Sequence, residues 1–329
     1  MSRRAIVVTC VLVGVALTVA FAGVSQRSFI AVWLAPDKAP TPSASMSQKA
    51  KDANAKFWDA FHGGRYEQIP EVLEALTAAY IENPRDAETA AHIGFLHIWR
   101  LSEQARLDTR SATITDHIVL SRKYFAEAVR LAPDDWRFKG FLASMEIAEG
   151  SLDGDEKLTR RGYFDLMKAI KGWPEFNLFT AGYVMSHLPV GDNRYADAVD
   201  YQWQNLDVCA EEEVDRRTGQ FDKYMAKETT TGIKRPCWNS WRAPHNFEGF
   251  FLNIGDTLVK RGDPATARLV YANARLSKTY EAWPFKAVLE ERIAQAEENV
   301  ALFRKPRPGE KTRTMMILST FACTGCHQR

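Results

Sequence analysis

One spacing of small and large apolar residues recurs four times along this chain, and it restricts the fold more than any other feature of the sequence. The marked positions are four, three and then five residues apart, so the first three of each copy share one face of a helix. A proline closes three of the copies, and because proline cannot continue a helix it fixes a turn there. The copies are Val72, Leu76, Ala79 and Pro84; Ser121, Phe125, Ala128 and Pro133; Gly162, Leu166, Ala169 and Pro174; and Ala267, Tyr271, Ala274 and Thr279. The sequence therefore predicts an all-α fold of repeated helices.

A matching first helix precedes the last copy. Phe251, Ile254, Gly255 and Leu258 are spaced as on one helical face, and Gly255 stands twelve residues before Ala267. This pattern resembles the tetratricopeptide repeat, in which two helices form a hairpin and hairpins stack. The resemblance implies about five degenerate helix pairs over residues 49–304, a capping helix at Glu281–Phe303, and a groove for a protein partner. A generic helical bundle is the alternative.

The amino-terminal segment predicts export from the cytoplasm. Arg3 and Arg4 precede an uncharged apolar run from Ala5 to Val24, which is typical of a signal peptide or a membrane anchor. The run is long enough to cross a bilayer, so we favour an uncleaved anchor over a removed signal, and a buried first helix is a third interpretation. Residues 1–24 would then hold the chain at the inner membrane, residues 25–48 would form a Pro/Ser-rich tether, and the remaining chain would lie in the periplasm.

Composition excludes several classes of protein. Apolar residues make up 46% and charged residues 26%, which is typical of a folded protein and not of a disordered one. Lys and Arg number 43 against 41 Asp and Glu, so no nucleic-acid partner is expected. The chain carries no nucleophile elbow, phosphate-binding loop or His-Glu-x-x-His motif, so no catalytic residue is proposed and an enzyme is the less favoured class.

A Cys-x-x-Cys-His motif stands in the segment 305–329. Cys323 and Cys326 would form thioethers to the haem vinyl groups, and His327 would bind the haem iron as an axial ligand. Such a motif is typical of c-type cytochromes, and its pairing with an export segment supports haem c as the cofactor. A redox-active or structural disulfide and half of a zinc site are the alternatives.

The second axial ligand is harder to assign from sequence. His245, in a Trp-rich segment beside the best-formed repeat, is the candidate, although a lone histidine there is also compatible with a purely structural role. The other histidines are weaker candidates; they are His62, His92, His97, His117 and His187.

Two further cysteines predict a disulfide. Cys209 and Cys237 bracket a polar segment within an insertion at residues 210–244, and in an oxidising compartment they are expected to pair. Closing that loop would stabilise the fold by roughly 3–4 kcal/mol. Two unpaired buried thiols are the alternative.

The chain as a whole resembles bacterial extracytoplasmic proteins that join tetratricopeptide helices to a terminal haem c motif. This resemblance implies an electron-transfer or redox-partner subunit, whose repeats would bind a redox protein. The alternatives are a redox-inert scaffold and an assembly chaperone, in which Cys323 and Cys326 would form a disulfide.

Overall fold

A computed structural model describes residues 43–227, 229, 231–237, 247–305 and 314–327. Within these ranges all regular structure is helical and no β-strand is present, as the apolar spacing predicts. The proposed export segment and most of the tether lie outside the described residues. None of the described helices is both long and apolar enough to span a bilayer.

Ten of the described helices pack as successive pairs. In each pair a helix contacts the one that follows it in the chain. The pairs are α1 (Gln48–His62) with α2 (Ile69–Glu82), α3 (Ala87–Ser102) with α4 (Asp116–Leu131), α5 (Trp136–Asp153) with α6 (Glu156–Gly172), α7 (Pro174–Met185) with α8 (Asn193–Ala210), and α10 (Phe247–Arg261) with α11 (Pro264–Ala272). The short helix α9 (Asp222–Met225) lies between the last two pairs.

The recurring positions of the sequence are the buried contacts of these pairs. All twelve helical positions of the four copies are buried. Gly255 is required by close approach, because a Cβ there would overlap the ring of Tyr271. The prolines lie at helix boundaries. Pro84 and Pro133 follow α2 and α4, and Pro174 is the first residue of α7.

Aspartates begin five of the helices and explain where these start. Each aspartate side chain accepts a hydrogen bond from one or two backbone N–H groups of the first turn, which otherwise have no partner in the helix. These residues are Asp86 before α3, Asp135 before α5, Asp155 before α6, Asp192 before α8 and Asp263 before α11.

The predicted capping helix is two helices. A 3₁₀ turn at Tyr280–Ala282 precedes α12 (Lys286–Ala294), and α13 (Ala296–Arg304) follows after a break at Gln295, where φ is −108° and ψ is 23°. The break lets α12 pack on α11 while α13 contacts both α10 and α11. Leu289 is fully buried, and Phe285, Val288 and Ile293 pack partly buried against the same core.

The insertion after α8 is joined to the core by a disulfide. Cys209, near the end of α8, is bonded to Cys237, and their Cα atoms are 5.6 Å apart. This is the pairing predicted from the sequence. The Tyr224 hydroxyl of α9 donates a hydrogen bond of 2.8 Å to the Cys237 carbonyl, which adds a second link across the insertion.

Candidate functional site

The Cys-x-x-Cys-His motif forms a single helical turn, α14 (Thr324–His327). The backbone N–H groups of Cys326 and His327 both donate to the Cys323 carbonyl, at 3.2 and 3.1 Å. Both thiols are free and buried. The motif therefore has its two thiols and its imidazole on one short, hydrogen-bonded turn.

Glu103, just after α3, holds the start of this turn. Its Oε1 accepts hydrogen bonds from the backbone N–H groups of Cys323 and Thr324, at 2.9 and 2.8 Å, and from the Thr324 hydroxyl at 3.0 Å. Its Oε2 accepts from the Trp99 indole at 3.0 Å and pairs with Arg106 at 2.8 Å. A buried carboxylate thus satisfies the N–H groups that the first helical turn leaves unpaired.

Side chains from three other parts of the chain bind the backbone of the motif and of the residues just before it. Arg106 donates to the Thr320 carbonyl at 2.6 Å and to the Thr324 hydroxyl at 3.1 Å. The Tyr183 hydroxyl of α7 donates to the Ala322 carbonyl at 3.3 Å, and the Trp283 indole donates to the Gly325 carbonyl at 3.1 Å. We call residues 314–327 the docked tail.

The beginning of the docked tail is held by a buried charged cluster. Asp256 of α10 accepts from the Met316 N–H at 2.7 Å and from the Tyr271 hydroxyl at 2.6 Å. Arg292 of α12 lies 3.4 Å from the Asp256 carboxylate and donates to the Thr314 carbonyl at 2.6 Å. Burial raises the pKa of Asp256, and the nearby Arg292 charge opposes that rise.

A glycine of α10 makes room for the motif. A Cβ at Gly249 would lie 2.6 Å from the Gly325 carbonyl oxygen and 2.7 Å from both the Cα and the Sγ of Cys326. Such distances are far below ordinary van der Waals contact, so only glycine allows α14 to sit this close to α10.

The two thiols are in an environment that keeps them protonated. Burial raises the pKa of the Cys323 thiol, and the Glu103 carboxylate adds to that rise. Burial likewise raises the pKa of Cys326 well above its ordinary value, and the neighbouring sulfur of Cys323 and the carboxylate of Glu248 contribute. Reactive redox cysteines have lowered pKa values, so this environment does not favour a thiol–disulfide switch.

His327 lies among aromatic side chains. Its ring centroid is 4.7 Å from that of Phe61 and 6.0 Å from that of Phe95. Burial, together with the smaller effect of the nearby His62 charge, lowers the pKa of His327 to about 3. The imidazole is therefore neutral at physiological pH, which is the form that binds a metal ion.

The histidines considered from the sequence as a second axial ligand lie in separate parts of the chain. His245 lies outside the described residues. His97 and His117 form a pair, with their Nδ1 atoms 2.8 Å apart, and His92 is hydrogen-bonded to Asn54. His62 lies in the last turn of α1, and its charge acts on His327. His187 packs edge-on against Tyr183, with ring centroids 5.7 Å apart.

The sequence does not reveal the residues that hold the motif. Glu103, Arg106, Gly249, Asp256 and Arg292 carry no local signal, because their tail partners are many residues away along the chain; Glu103 and Cys323 are 220 residues apart. Nothing in the apolar spacing distinguishes these residues from ordinary polar or small positions of a helix.

The donor set of the motif is the one that covalent haem attachment requires. The motif has two free thiols and a neutral imidazole on one turn, and the backbone of that turn fills the space beside Gly249. No group of three or more Cys, His, Asp or Glu is placed to hold a metal ion in the described ranges. Comparisons of the chain with models of protein families, with curated proteins and with solved structures find no match.

Proposed function

We propose that this chain is an extracytoplasmic c-type haem protein that exchanges electrons with a protein partner. The observation that carries the proposal is the motif turn itself, with Cys323 and Cys326 free, His327 neutral, and the turn fixed by Glu103. Cys323 and Cys326 would form the thioethers and His327 would bind the iron. A haem held in this way supplies a one-electron redox centre.

The chain's own residues would position that group. Glu103, Trp283 and Tyr183 fix the backbone of the turn from three separate parts of the helical array. Cys323 and Cys326 are buried, and burial around a redox centre is a means by which a protein tunes its potential. The array therefore acts as a rigid support for the motif.

The wider context of the proposal is a tetratricopeptide-like array outside the cytoplasm. Five helix pairs, four of which carry the buried repeat positions, support the repeat assignment. The Arg-led apolar segment supports export, with residues 5–24 as a tether to the inner membrane. We infer that the partner is a redox protein. Because the docked tail packs against α1 and α10, the partner would dock on a surface that the tail leaves accessible.

Expression with and without haem-maturation enzymes tests the proposal. The full chain, exported to the periplasm with those enzymes, should show a Soret band and haem staining that survives a denaturing gel. Cys326→Ala should sharply reduce covalent haem, because one thioether is lost, while helical circular dichroism remains. A wild-type protein without covalent haem would contradict the proposal and favour the disulfide alternative.

The second cysteine pair provides the matched control. Replacing Cys209 and Cys237 together by alanine removes the disulfide but leaves the motif unchanged. This variant should melt at a lower temperature and retain its covalent haem. Loss of haem in both variants would indicate a general folding defect, so the Cys326→Ala result is interpreted only when the control keeps its haem.

A further inference from the structure

A line of aromatic rings connects the motif to the start of α7. Between ring centroids, His327 lies 6.0 Å from Phe95 of α3, and Phe95 lies 5.5 Å from Phe141 of α5. Phe141 lies 5.9 Å from Phe176 of α7, which lies 5.5 Å from Trp173, the residue just before that helix. At these separations aromatic rings pack against each other. The line therefore passes from the motif through the first helices of three successive pairs and ends at Trp173.

Trp173 is one of two indoles that lie together at the starts of α5 and α7. Trp136, the first residue of α5, packs over Gly172, since a Cβ on that glycine would lie 2.1 Å from the Trp136 ring. The Trp173 indole donates a hydrogen bond of 2.8 Å to the Ile233 carbonyl, in the insertion after α8. Both indoles are half-buried, and Ile233 is 60% exposed. The outer end of the aromatic line is therefore accessible from solvent.

A cation lies on the face of each indole. The Lys139 ammonium is 3.8 Å from the centre of the Trp136 ring, and the Arg235 guanidinium is 4.3 Å from the centre of the Trp173 ring. Both distances are within the range of cation–π contacts. In the described part of the chain neither cation forms an ion pair with a carboxylate. We call the surface formed by these four side chains and Ile233 the indole patch.

The charges at the border of the indole patch cancel each other. Arg137 is paired with Asp135 at 2.6 Å, and the exposed side chains of Asp134 and Lys171 carry opposite charges. The two stacked cations therefore leave the patch positive, and a positive surface attracts a negative one. Tryptophan and arginine are also the residues that most often dominate binding energy at protein interfaces. These observations favour an acidic protein surface as the occupant.

We propose that the indole patch is the docking surface for the redox partner, that the partner presents an acidic face to it, and that electrons pass between the patch and the motif along the line of rings. This inference rests on the proposed function and specifies the partner's surface. Protein interiors are close-packed, and electrons tunnel more readily through packed atoms than across gaps. The rings from Trp173 to His327 provide such continuous packing.

Stopped-flow oxidation of the reduced, haem-loaded full chain tests the docking surface, with the anion hexacyanoferrate(III) as the probe. The anion takes one electron from the reduced protein and becomes hexacyanoferrate(II). At low salt Arg235→Glu should slow this reaction at least about threefold, because a charge that attracts the anion becomes one that repels it. The difference should decrease as the salt concentration rises. With the cationic oxidant tris(phenanthroline)cobalt(III), the same variant should react faster than the wild type.

Lys157→Glu is the matched control for this charge reversal. Lys157 is exposed in the first turn of α6, and Gly172 is the last residue of that helix, so this lysine lies roughly 22 Å along α6 from the indole patch. The variant makes the same change in net charge and should react at the wild-type rate. Equal slowing in both variants, or no slowing in Arg235→Glu, would overturn the docking surface.

Phe141→Leu tests the line of rings. The variant removes the ring between Phe95 and Phe176 and should slow the oxidation at least about twofold, because the gap interrupts the packing. Its salt dependence should match that of the wild type, since the indole patch is unchanged. Phe125→Leu is the control, because the Phe125 ring stacks on Phe141 at 5.0 Å but lies outside the line. A wild-type rate in Phe141→Leu, or equal slowing in both variants, would overturn the route.

Fluorescence of the haem-free chain separates this inference from the proposed function. The emission of Trp173, obtained by difference from a Trp173→Phe variant, should be quenched more by iodide than by caesium, and Arg235→Glu should reverse that preference. Absence of a preference for iodide would overturn the positive indole patch, even in a chain that binds haem. A wild type without covalent haem would overturn both the proposed function and the electron route.

Discussion

Glu103 is the single side chain on which the geometry of the motif most depends. Its carboxylate is completely buried and accepts hydrogen bonds from the first N–H groups of α14, the Thr324 hydroxyl and the Trp99 indole, beside the Arg106 guanidinium. Burial raises its pKa, while Arg106 and the donors of Thr324 and Trp99 oppose the rise. A buried carboxylate with so many partners is costly to replace, since each partner would remain buried without an acceptor.

Glu103→Ala should lower the free energy of unfolding by about 3 kcal/mol, because it leaves the Arg106 charge and the N–H groups of Cys323 and Thr324 unsatisfied. Denaturant unfolding followed by circular dichroism measures this. The control is Glu281→Ala, which removes an exposed carboxylate paired with Lys286 and should cost less than about 1 kcal/mol. Equal costs would show that Glu103 has no special role.

At this scale the sequence identifies the residues of the motif but not the residues that hold it in place. Cys323, Cys326 and His327 are recognisable because their spacing is local, and Cys209 and Cys237 because two cysteines bracket one insertion. Glu103 is not recognisable, because its role arises from contacts between residues 220 positions apart. A buried acidic residue and a solvated one look the same in a sequence.

Helix α10 connects the array to the docked tail. Asp256 binds the Met316 N–H, and Gly249, two turns earlier on α10, lies against Cys326. The repeat positions Phe251, Ile254 and Leu258 are also buried. Some residues of this helix therefore contact the other helices of the array, and others contact the docked tail. Contacts on both sides explain why every residue of α10 up to Lys260 is buried.

Gly249→Ala should displace the tail, because the added Cβ would overlap Gly325 and Cys326. We expect a loss of about 1–3 kcal/mol in stability and faster proteolytic cleavage within residues 314–327, read by mass spectrometry. Gly191→Ala is the control, since nothing lies within 4 Å of the Cβ it would add. Unchanged tail cleavage in Gly249→Ala would contradict this close packing.

The sequence predicts which elements form but not how they end. The apolar spacing identifies α2, α4, α6 and α11 because helical periodicity is a local property. It predicts one capping helix where two are found, since the break at Gln295 serves contacts of α12 and α13 with different helices. Such a break depends on tertiary packing, which periodicity does not encode.

The whole molecule should lose stability in mild acid. His97 is buried beside His117, and burial together with the His117 charge lowers its pKa to about 4; burial, followed by the charge of Arg100, lowers the pKa of His117. An unfolded histidine has a pKa near 6.5, so between that pH and about 4 the unfolded chain binds a proton that the folded His97 does not. The stability from this pair is fully present above about pH 6.5 and decreases as the pH falls.

Measured as denaturant midpoints from pH 7 to pH 4, the decrease should be smaller in His97→Gln than in the wild type, because the variant has one fewer buried group to protonate. Both proteins should be compared at equal ionic strength, since salt screens the remaining charges. Identical pH slopes would assign the acid sensitivity to other groups.

The distance along the chain between Glu103 and the motif determines the order in which the helices fold and the tail docks. Chains grow from the amino end, so α3 and its neighbours can fold before Cys323 has been made. Until the tail docks, its two sulfur atoms are accessible to enzymes; afterwards both are shielded by α1, α3 and α10. Enzymes that modify Cys323 and Cys326 covalently should therefore act fastest before docking, and a variant that docks more slowly would lengthen the time in which they can act.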